Sequence, residues 1–259
     1  MTAEDEARML VRLLWRDPDQ TPATAGRRGP KPRVSVDEVV TSAIGLADAE
    51  GLGAVSMRAL AARLGLGPMS LYTYVPTRDV LLALMVDQVA AETPVPAAGP
   101  VLESLDAMAR VLRNEYLAHP WLLEVSQWRQ VLGPHRLQRY ESQLQIIESV
   151  SMSDLTRDHV IGALSAFVIG NAHESVGART AADSGLTDED WWAVVGPALT
   201  SVMPPDRFPL SGRVGTAVGE HYRAPRDPDN GFDFGLARLL DGLRSTLGER
   251  RSRTDVNED

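Results

Sequence analysis

Residues 56–82, SMRALAARLGLGPMSLYTYVPTRDVLL, decide the fold: their spacing describes two short helices joined by a glycine turn and followed by a longer third helix. Ser56 is placed to cap the first helix, and Met57, Leu60, Ala61 and Leu64 repeat at three- and four-residue steps along it. Gly65 stops that helix, and Pro68 suits the first position of the next, where no backbone donor is needed. Leu71 and Val75 lie four apart and face inward, which leaves Met69, Ser70, Tyr72, Thr73 and Tyr74 on or near the surface. Two surface tyrosines imply a partner. Thr77 caps the third helix, whose apolar face is marked by Val80, Leu81, Leu84, Met85 and Val89. Arg78 in its first turn opposes the helix dipole, so the expectation is that it reaches for a phosphate. The pattern is that of a helix-turn-helix, which lays its second helix in a DNA groove.

From about Val34 to Val89 the chain resembles the TetR family of dimeric transcriptional regulators. The family's recognition helix carries a Leu-Tyr pair, a one-residue gap, an aromatic or His, and then Val; here that run is Leu71, Tyr72, Thr73, Tyr74 and Val75, with Arg78 in the place of a phosphate-contacting cation. The resemblance implies an all-α fold: an N-terminal three-helix DNA-binding domain with a helix-turn-helix, then a larger helical domain for ligand binding and dimerisation. It places Pro68, Met69, Ser70, Tyr72, Thr73 and Tyr74 toward the major groove, with Ser56 and Arg58 beside them. Pro68 and Met69 offer base edges no hydrogen bonds, so readout falls on few polar groups and on thymine methyls.

The helix ahead of this pair starts at a capping box, Ser35 with Glu38, and continues through Val39, Val40, Ala43, Ile44 and Ala47 to Gly51 and Gly53. Before it, RRGPKPR at residues 27–33 holds Arg27, Arg28, Lys31 and Arg33 without an acid. Glycine and prolines forbid a helix there. It reads as a basic arm for an adjacent minor groove, the bland alternative being a solvated linker. The charge distribution supports this: residues 24–86 hold seven Arg or Lys against five acids, whereas residues 87–259 hold sixteen arginines against twenty-five acids, within a net charge of −9. An acidic body repels DNA and leaves binding to the head. Residues 4–16 form a short helix with Met9, Leu10, Leu13 and Leu14 on one face and Arg8, Arg12 and Arg16 on another, free to dock on the body, touch DNA or move.

The domain reading is an N-terminal extension with the arm at 1–33, a DNA-binding domain at 34–80, an effector and dimerisation domain at 81–250, and a disordered tail at 251–259. TPVPAAGP at 93–100 marks the connection into a second helical region. Helices are predicted near 101–118, 121–130, 134–149, 154–178, 188–202 and 232–249, with long loops at 179–187 and 204–231. Val160, Leu164, Phe167, Val168, Ala172 and Val176 share a face of one helix; Phe234, Leu236, Leu239, Leu240, Leu243 and Leu247 recur likewise in the last. In a monomer these are core. The resemblance, with GFDFGLARLLDGL at 231–243 similar to the last dimer helix of the tetracycline-repressor subgroup, implies a homodimer interface through Val160, Leu164, Phe167, Val168, Phe234, Leu236, Leu239, Leu240 and Leu243. It also implies an effector pocket in the body. Tyr116, Trp121, Trp128 and Phe167 supply aromatic surface, and Arg113, Gln127, Asn171, His173 and Glu174 supply polar groups, although any one of them alone reads more simply as core or surface. Such a lining suits a flat, aromatic, largely apolar compound such as an antibiotic, and the family often controls an exporter of its ligand.

Other classes find little footing. The five histidines show no HExxH or metal spacing, no GxSxG elbow occurs, and Gly65-Leu66-Gly67 lacks a third glycine and a preceding strand. No catalytic residue, metal or cofactor is expected. With no cysteine there is no disulfide or thiolate site, and the acidic start at Glu4, Asp5 and Glu6 and the lack of a long apolar run predict a cytoplasmic protein without a membrane span. The expected partners are an operator in double-stranded DNA, a small-molecule effector and a second copy of the chain. The alternatives are a ligand-independent regulator or activator and, behind it, a helical enzyme or small-molecule carrier.

Overall fold

The computed structural model describes residues 3–16, 33–94, 99–126, 130–183, 185–204 and 206–247; among these the chain is helical, with no strand. It divides into two compact units, Met1–Ser149 and Val150–Asp259. The first holds α1 (Ala3–Leu14), α2 (Val36–Glu50), α3 (Met57–Arg63), α4 (Pro68–Leu71), α5 (Arg78–Glu92), α6 (Val101–Ala118) and α7 (Pro134–Ile146). The second holds α8 (Asp154–Asp183), α9 (Asp188–Val202), α10 (Pro209–Tyr222) and α11 (Pro228–Leu243).

The head is built from caps outward. The Ser35 hydroxyl accepts from the Glu38 amide at 3.1 Å and the Glu38 carboxylate accepts from the Ser35 amide at 2.6 Å, so both ends of the expected capping box are present at α2. Gly51, at φ +81°, takes the chain out of α2 through a 3-10 turn, Leu52–Ala54. Ser56 caps α3, Gly65 at φ +65° makes the turn that a side chain would strain, and Pro68 opens α4. Leu71 and Val75 are fully buried, as their spacing requires, and meet Val39, Val40, Leu60, Leu81 and Met85 in one core. That core does not end with the head. Trp121 and Leu122, in a second 3-10 turn at Pro120–Glu124, belong to it as well, so the first unit runs on through α6 and α7.

Four helix expectations need correction. The helix foreseen at 121–130 is the Pro120–Glu124 turn, which buries Trp121 and Leu122 and then leaves helical geometry at Val125. The helix foreseen at 154–178 continues to Asp183, and the last helix spans Pro228–Leu243 because Asp227 caps it four residues earlier than the first apolar position suggested. Inside the supposed loop 204–231 lies α10, opened by Pro209 at its first turn. Its glycines looked like loop residues. At least one has a packing reason, since a Cβ on Gly219 would fall 1.9 Å from the Trp192 ring of α9.

In the second unit α8 packs along α11. Val160, Leu164 and Val168 of α8 and Leu236 and Leu240 of α11 are buried within a single chain, and Phe167 stacks on Phe232 at 5.5 Å between ring centroids. Of the residues foreseen as dimer contacts, these six therefore have an intrachain role; Phe234 is 70% exposed, and Leu239 and Leu243 are half-buried. No described helix is long and apolar enough to cross a membrane.

Candidate nucleic-acid interface

The outer face of the helix-turn-helix presents Met69 at 78% exposure and Tyr72 at 44%, with Ser70 and Thr73 also exposed and Tyr74 half-buried against the core. Such apolar exposure on a four-residue helix whose inner face is fully buried has no intrachain purpose. The Thr73 hydroxyl donates to the Ser70 carbonyl at 2.6 Å, which extends the helical path past Leu71 and leaves its oxygen as an acceptor. Arg58 and Arg33 are exposed on the head, and Ser56 spends its oxygen on the Ala59 amide. The arm residues Arg27, Arg28 and Lys31 lie outside the described residues, as does the side chain of Pro68.

Arg78, exposed on the head, also makes contacts within the chain. Its Nε donates to the Val55 carbonyl at 3.2 Å and one Nη to the Leu52 carbonyl at 3.1 Å, so it ties the start of α5 to the 3-10 turn that precedes α3. This also resolves the dipole objection, because the cation is held by carbonyl oxygens rather than by its own helix.

From the head, a set of polar contacts runs into the rest of the first unit. Asp48, near the end of α2, accepts from the buried Trp121 indole at 2.8 Å and lies 2.8 Å from His119 Nδ1. Trp121 is thus a structural residue of the head core. Asp48→Ala is expected to leave the indole N–H buried without an acceptor and to cost about 1–3 kcal/mol in denaturant unfolding. Asp48→Asn keeps an acceptor and should lose less.

Two reciprocal caps hold α5 to α7. Asp87, buried on α5, accepts from the Arg136 amide at the start of α7 at 3.0 Å and from His135 at 3.0 Å. Arg139 of α7 in turn grips the Glu115 carboxylate at 2.5 and 2.7 Å and donates to the Ala90 and Thr93 carbonyls at the end of α5, at 3.1 and 3.4 Å. A Cβ on Gly133 would meet the Asp87 carboxylate at 2.3 Å, so only glycine admits this approach. Among the described residues Arg139 Nε is buried without an acceptor. Burial, and then the Glu115 charge, push the Tyr116 phenol above its ordinary value, and burial draws Arg136 below its own. Tyr116 is therefore a neutral hydroxyl at physiological pH.

Beside these contacts is an open cleft of about 410 Å³ lined by Glu92, Thr93, Pro94, Val111, Asn114, Glu115, Ala118 and His119. None of the foreseen ligand residues lines it. Arg113 and Tyr116 sit on α6 in the first unit, whereas Phe167, Asn171, His173 and Glu174 sit on α8 in the second; Gln127 and Trp128 fall outside the described residues. The polar groups of α8 that needed partners have them close by. Asn171 donates to the Pro228 carbonyl at 2.8 Å, Glu174 pairs with Arg226 at 2.6 Å, and His173 is exposed.

Residues 93–247 match the family described as the tetracyclin repressor-like C-terminal domain. The chain belongs to the TetR family of transcriptional regulators. It is 39% identical over 254 residues to the HTH-type transcriptional repressor DrrR1 of Streptomyces coeruleorubidus, covering 96% of this chain and 90% of that one. It superposes on apo ActR of Streptomyces coelicolor with a TM-score of 0.67 at 31% identity, over 85% of this chain and 99% of that one. ActR in complex with actinorhodin gives a TM-score of 0.69, over 83% and 98% of the two chains. This TetR-family chain is a regulator rather than an enzyme, and the helix-turn-helix read from residues 56–82 is its family hallmark.

Asp48, Asp87, Glu115, His119 and Arg139 were not singled out from the sequence, yet a signal was there. Asp87 follows Leu84 by three residues and Glu115 follows Leu112 by three, which puts both acids on a buried face of their helices. Such acids must have partners.

Proposed function

We propose that the chain is a homodimeric repressor that binds a palindromic operator and is released by a small, aromatic, largely apolar ligand, with an exporter gene as its target and the cytoplasm as its compartment. The exposed Met69–Tyr72–Thr73 face above a fully buried Leu71 and Val75 carries this reading. It makes α4 the recognition helix, with Ser56, Arg58, Pro68, Met69, Ser70, Tyr72, Thr73, Tyr74 and the arm cations Arg27, Arg28, Lys31 and Arg33 on DNA. Arg78, exposed at the start of α5, contacts a phosphate with the donors that its two carbonyl bonds leave. Two copies are needed because one helix-turn-helix reads one half-site. The α8 and α11 faces that stay open in one chain, with Phe234, Leu239 and Leu243, are the surfaces for that pairing. Residues 34–80 then serve DNA and residues 81–250 serve the effector and the partner copy.

The ligand class follows from the Arg113, Tyr116, Gln127 and Trp128 segment and from the ActR relative, solved with actinorhodin. Release is a population shift: the ligand favours a body whose α5 no longer spaces the recognition helices for successive grooves. Operator titration with upstream DNA of the gene, with and without a panel of aromatic metabolites, tests the reading. Binding and release must be reciprocal, with operator weakening ligand affinity by the factor by which ligand weakens operator affinity. Replacing Arg27, Arg28 and Lys31 by alanine should flatten the salt dependence by about three charges per protomer, and an unchanged slope removes the arm from the interface.

A further inference from the structure

The N-terminal helix α1 is absorbed neither by the helix-turn-helix nor by the body, yet it is firmly placed. Leu14 is buried in the head core, the Trp15 indole donates to the Leu132 carbonyl at 3.1 Å, and Arg16 pairs with Asp37 of α2. At the other end, Glu6 accepts from the hydroxyl of Thr77, the N-cap of α5, at 3.2 Å. Leu132 adjoins Gly133, which abuts Asp87, so Glu6 and Trp15 stand beside Thr77 and the Asp87 region in turn. The two helices run side by side in the same direction. The anchoring differs along the helix: the Leu14–Arg16 end is held by burial and two polar contacts, whereas the first turn meets α5 through a half-buried carboxylate-to-hydroxyl bond.

That first turn carries Glu4, Asp5 and Glu6, and Arg8 pairs with Glu4 at 2.6 Å. Its position matters. Thr77 lies two residues after Val75, the last buried residue of the recognition segment, so the start of α5 borders any duplex seated on α4. The free amides of a helix start attract an anion, and a phosphate at this edge would meet the same Thr77 hydroxyl that Glu6 holds. A carboxylate and a phosphate cannot share it.

We propose that the first turn of α1 is an autoinhibitory acidic strap: Glu6, with its acidic neighbours, covers the phosphate-facing edge of α5, and operator binding requires that turn to leave Thr77 while the Leu14–Arg16 end stays anchored. This rests on the DNA-binding reading above. The strap acts opposite to the basic arm that follows it, so residues 4–6 oppose the duplex while residues 27–33 attract it. Its strength is set by salt, because the repulsion it applies is screened over about 10 Å at 0.1 M.

Two experiments on the full chain test it. Neutralising Glu4, Asp5 and Glu6 as Glu4→Gln, Asp5→Asn and Glu6→Gln should tighten operator binding at least about five-fold at low salt, on the scale of one screened charge contact. The gain should shrink as salt rises. Glu103→Gln, which removes an exposed acid from α6, should change affinity less than two-fold. In addition, the chain lacks cysteine, so Glu6→Cys with Thr77→Cys supplies the only two thiols. A short reducible cross-link between them should lower operator affinity at least about ten-fold, and reduction should restore it. A wild-type chain that binds no operator overturns the DNA reading and the strap with it. A wild-type chain that binds, with a cross-linked form that binds equally well or neutral variants that gain nothing, overturns the strap alone.

Discussion

Tyr72→Ala should weaken specific operator binding by about thirty-fold or more while leaving the protein as stable as the wild type. The side chain is 44% exposed and projects from a helix whose inward residues, Leu71 and Val75, are fully buried, so truncation opens no cavity. Stability should move by no more than about 0.5 kcal/mol, the usual range for a surface position. Affinity has no such protection. A good base-edge contact discriminates by about 1–3 kcal/mol, and the proposed two-fold dimer would lose it in both half-sites, so specific binding should fall by about thirty-fold or more. Tyr72→Phe separates the ring from its hydroxyl: retention of affinity would assign the contact to stacking and thymine methyls, the mode that Met69 at 78% exposure also favours. Leu71→Ala is the contrasting control. It should lose operator binding by unfolding the head, at a cost of about 2–5 kcal/mol. Operator titration with a parallel thermal melt distinguishes the two, and wild-type affinity in Tyr72→Ala would mean that α4 is not the reading helix.

The head was legible in the sequence because nearly all its determinants are local. Ser35 with Glu38, Ser56, Gly65, Pro68 and Thr77 each act within four residues of their own position, and the burial of Leu71 and Val75 follows from helical period alone. The intrachain contacts of Arg78 were not legible because its partners, the Leu52 and Val55 carbonyls, lie more than twenty residues back and become neighbours only when α5 crosses the α2–α3 turn. The body was harder for the same reason. Gly219 reads as a loop residue until Trp192 is seen against it, and the acceptor of the Trp121 indole, Asp48, lies far back in the chain on α2. The acids Asp87 and Glu115 stood on apolar faces, which shows that a partner exists without naming it. Their partners, His135, Arg136 and Arg139, come from α7, a helix with little buried apolar surface of its own. What holds α7 to α5 is therefore largely polar, and periodicity does not see it.

That polar latch should be the most costly place in the first unit to cut on one side. Glu115→Ala removes the carboxylate that faces a guanidinium only 14% exposed, leaving Arg139 with the Ala90 and Thr93 carbonyls as its remaining acceptors. Breaking a buried pair in this way costs about 3–5 kcal/mol, because the surviving charge stays out of water. A domain stable by about 5–15 kcal/mol would lose a large fraction of its margin. Replacing both partners, as Glu115→Leu with Arg139→Leu, removes the stranded charge and should recover most of the loss, as when apolar residues of similar volume replace a buried ion pair. The recovery should be incomplete for a definable reason, since the α5 carbonyls lose the donor that caps them. Urea unfolding of Glu115→Leu, Arg139→Leu and the double variant measures this, and a double-variant loss equal to the sum of the two single losses would mean that the pair contributes no coupling. The double variant also reaches the mechanism. Arg139 and Asp87 are what tie the connecting helix α5 to α7, so a folded double variant should still bind operator, while its release by effector should weaken because one of the two ties between α5 and α7 is gone.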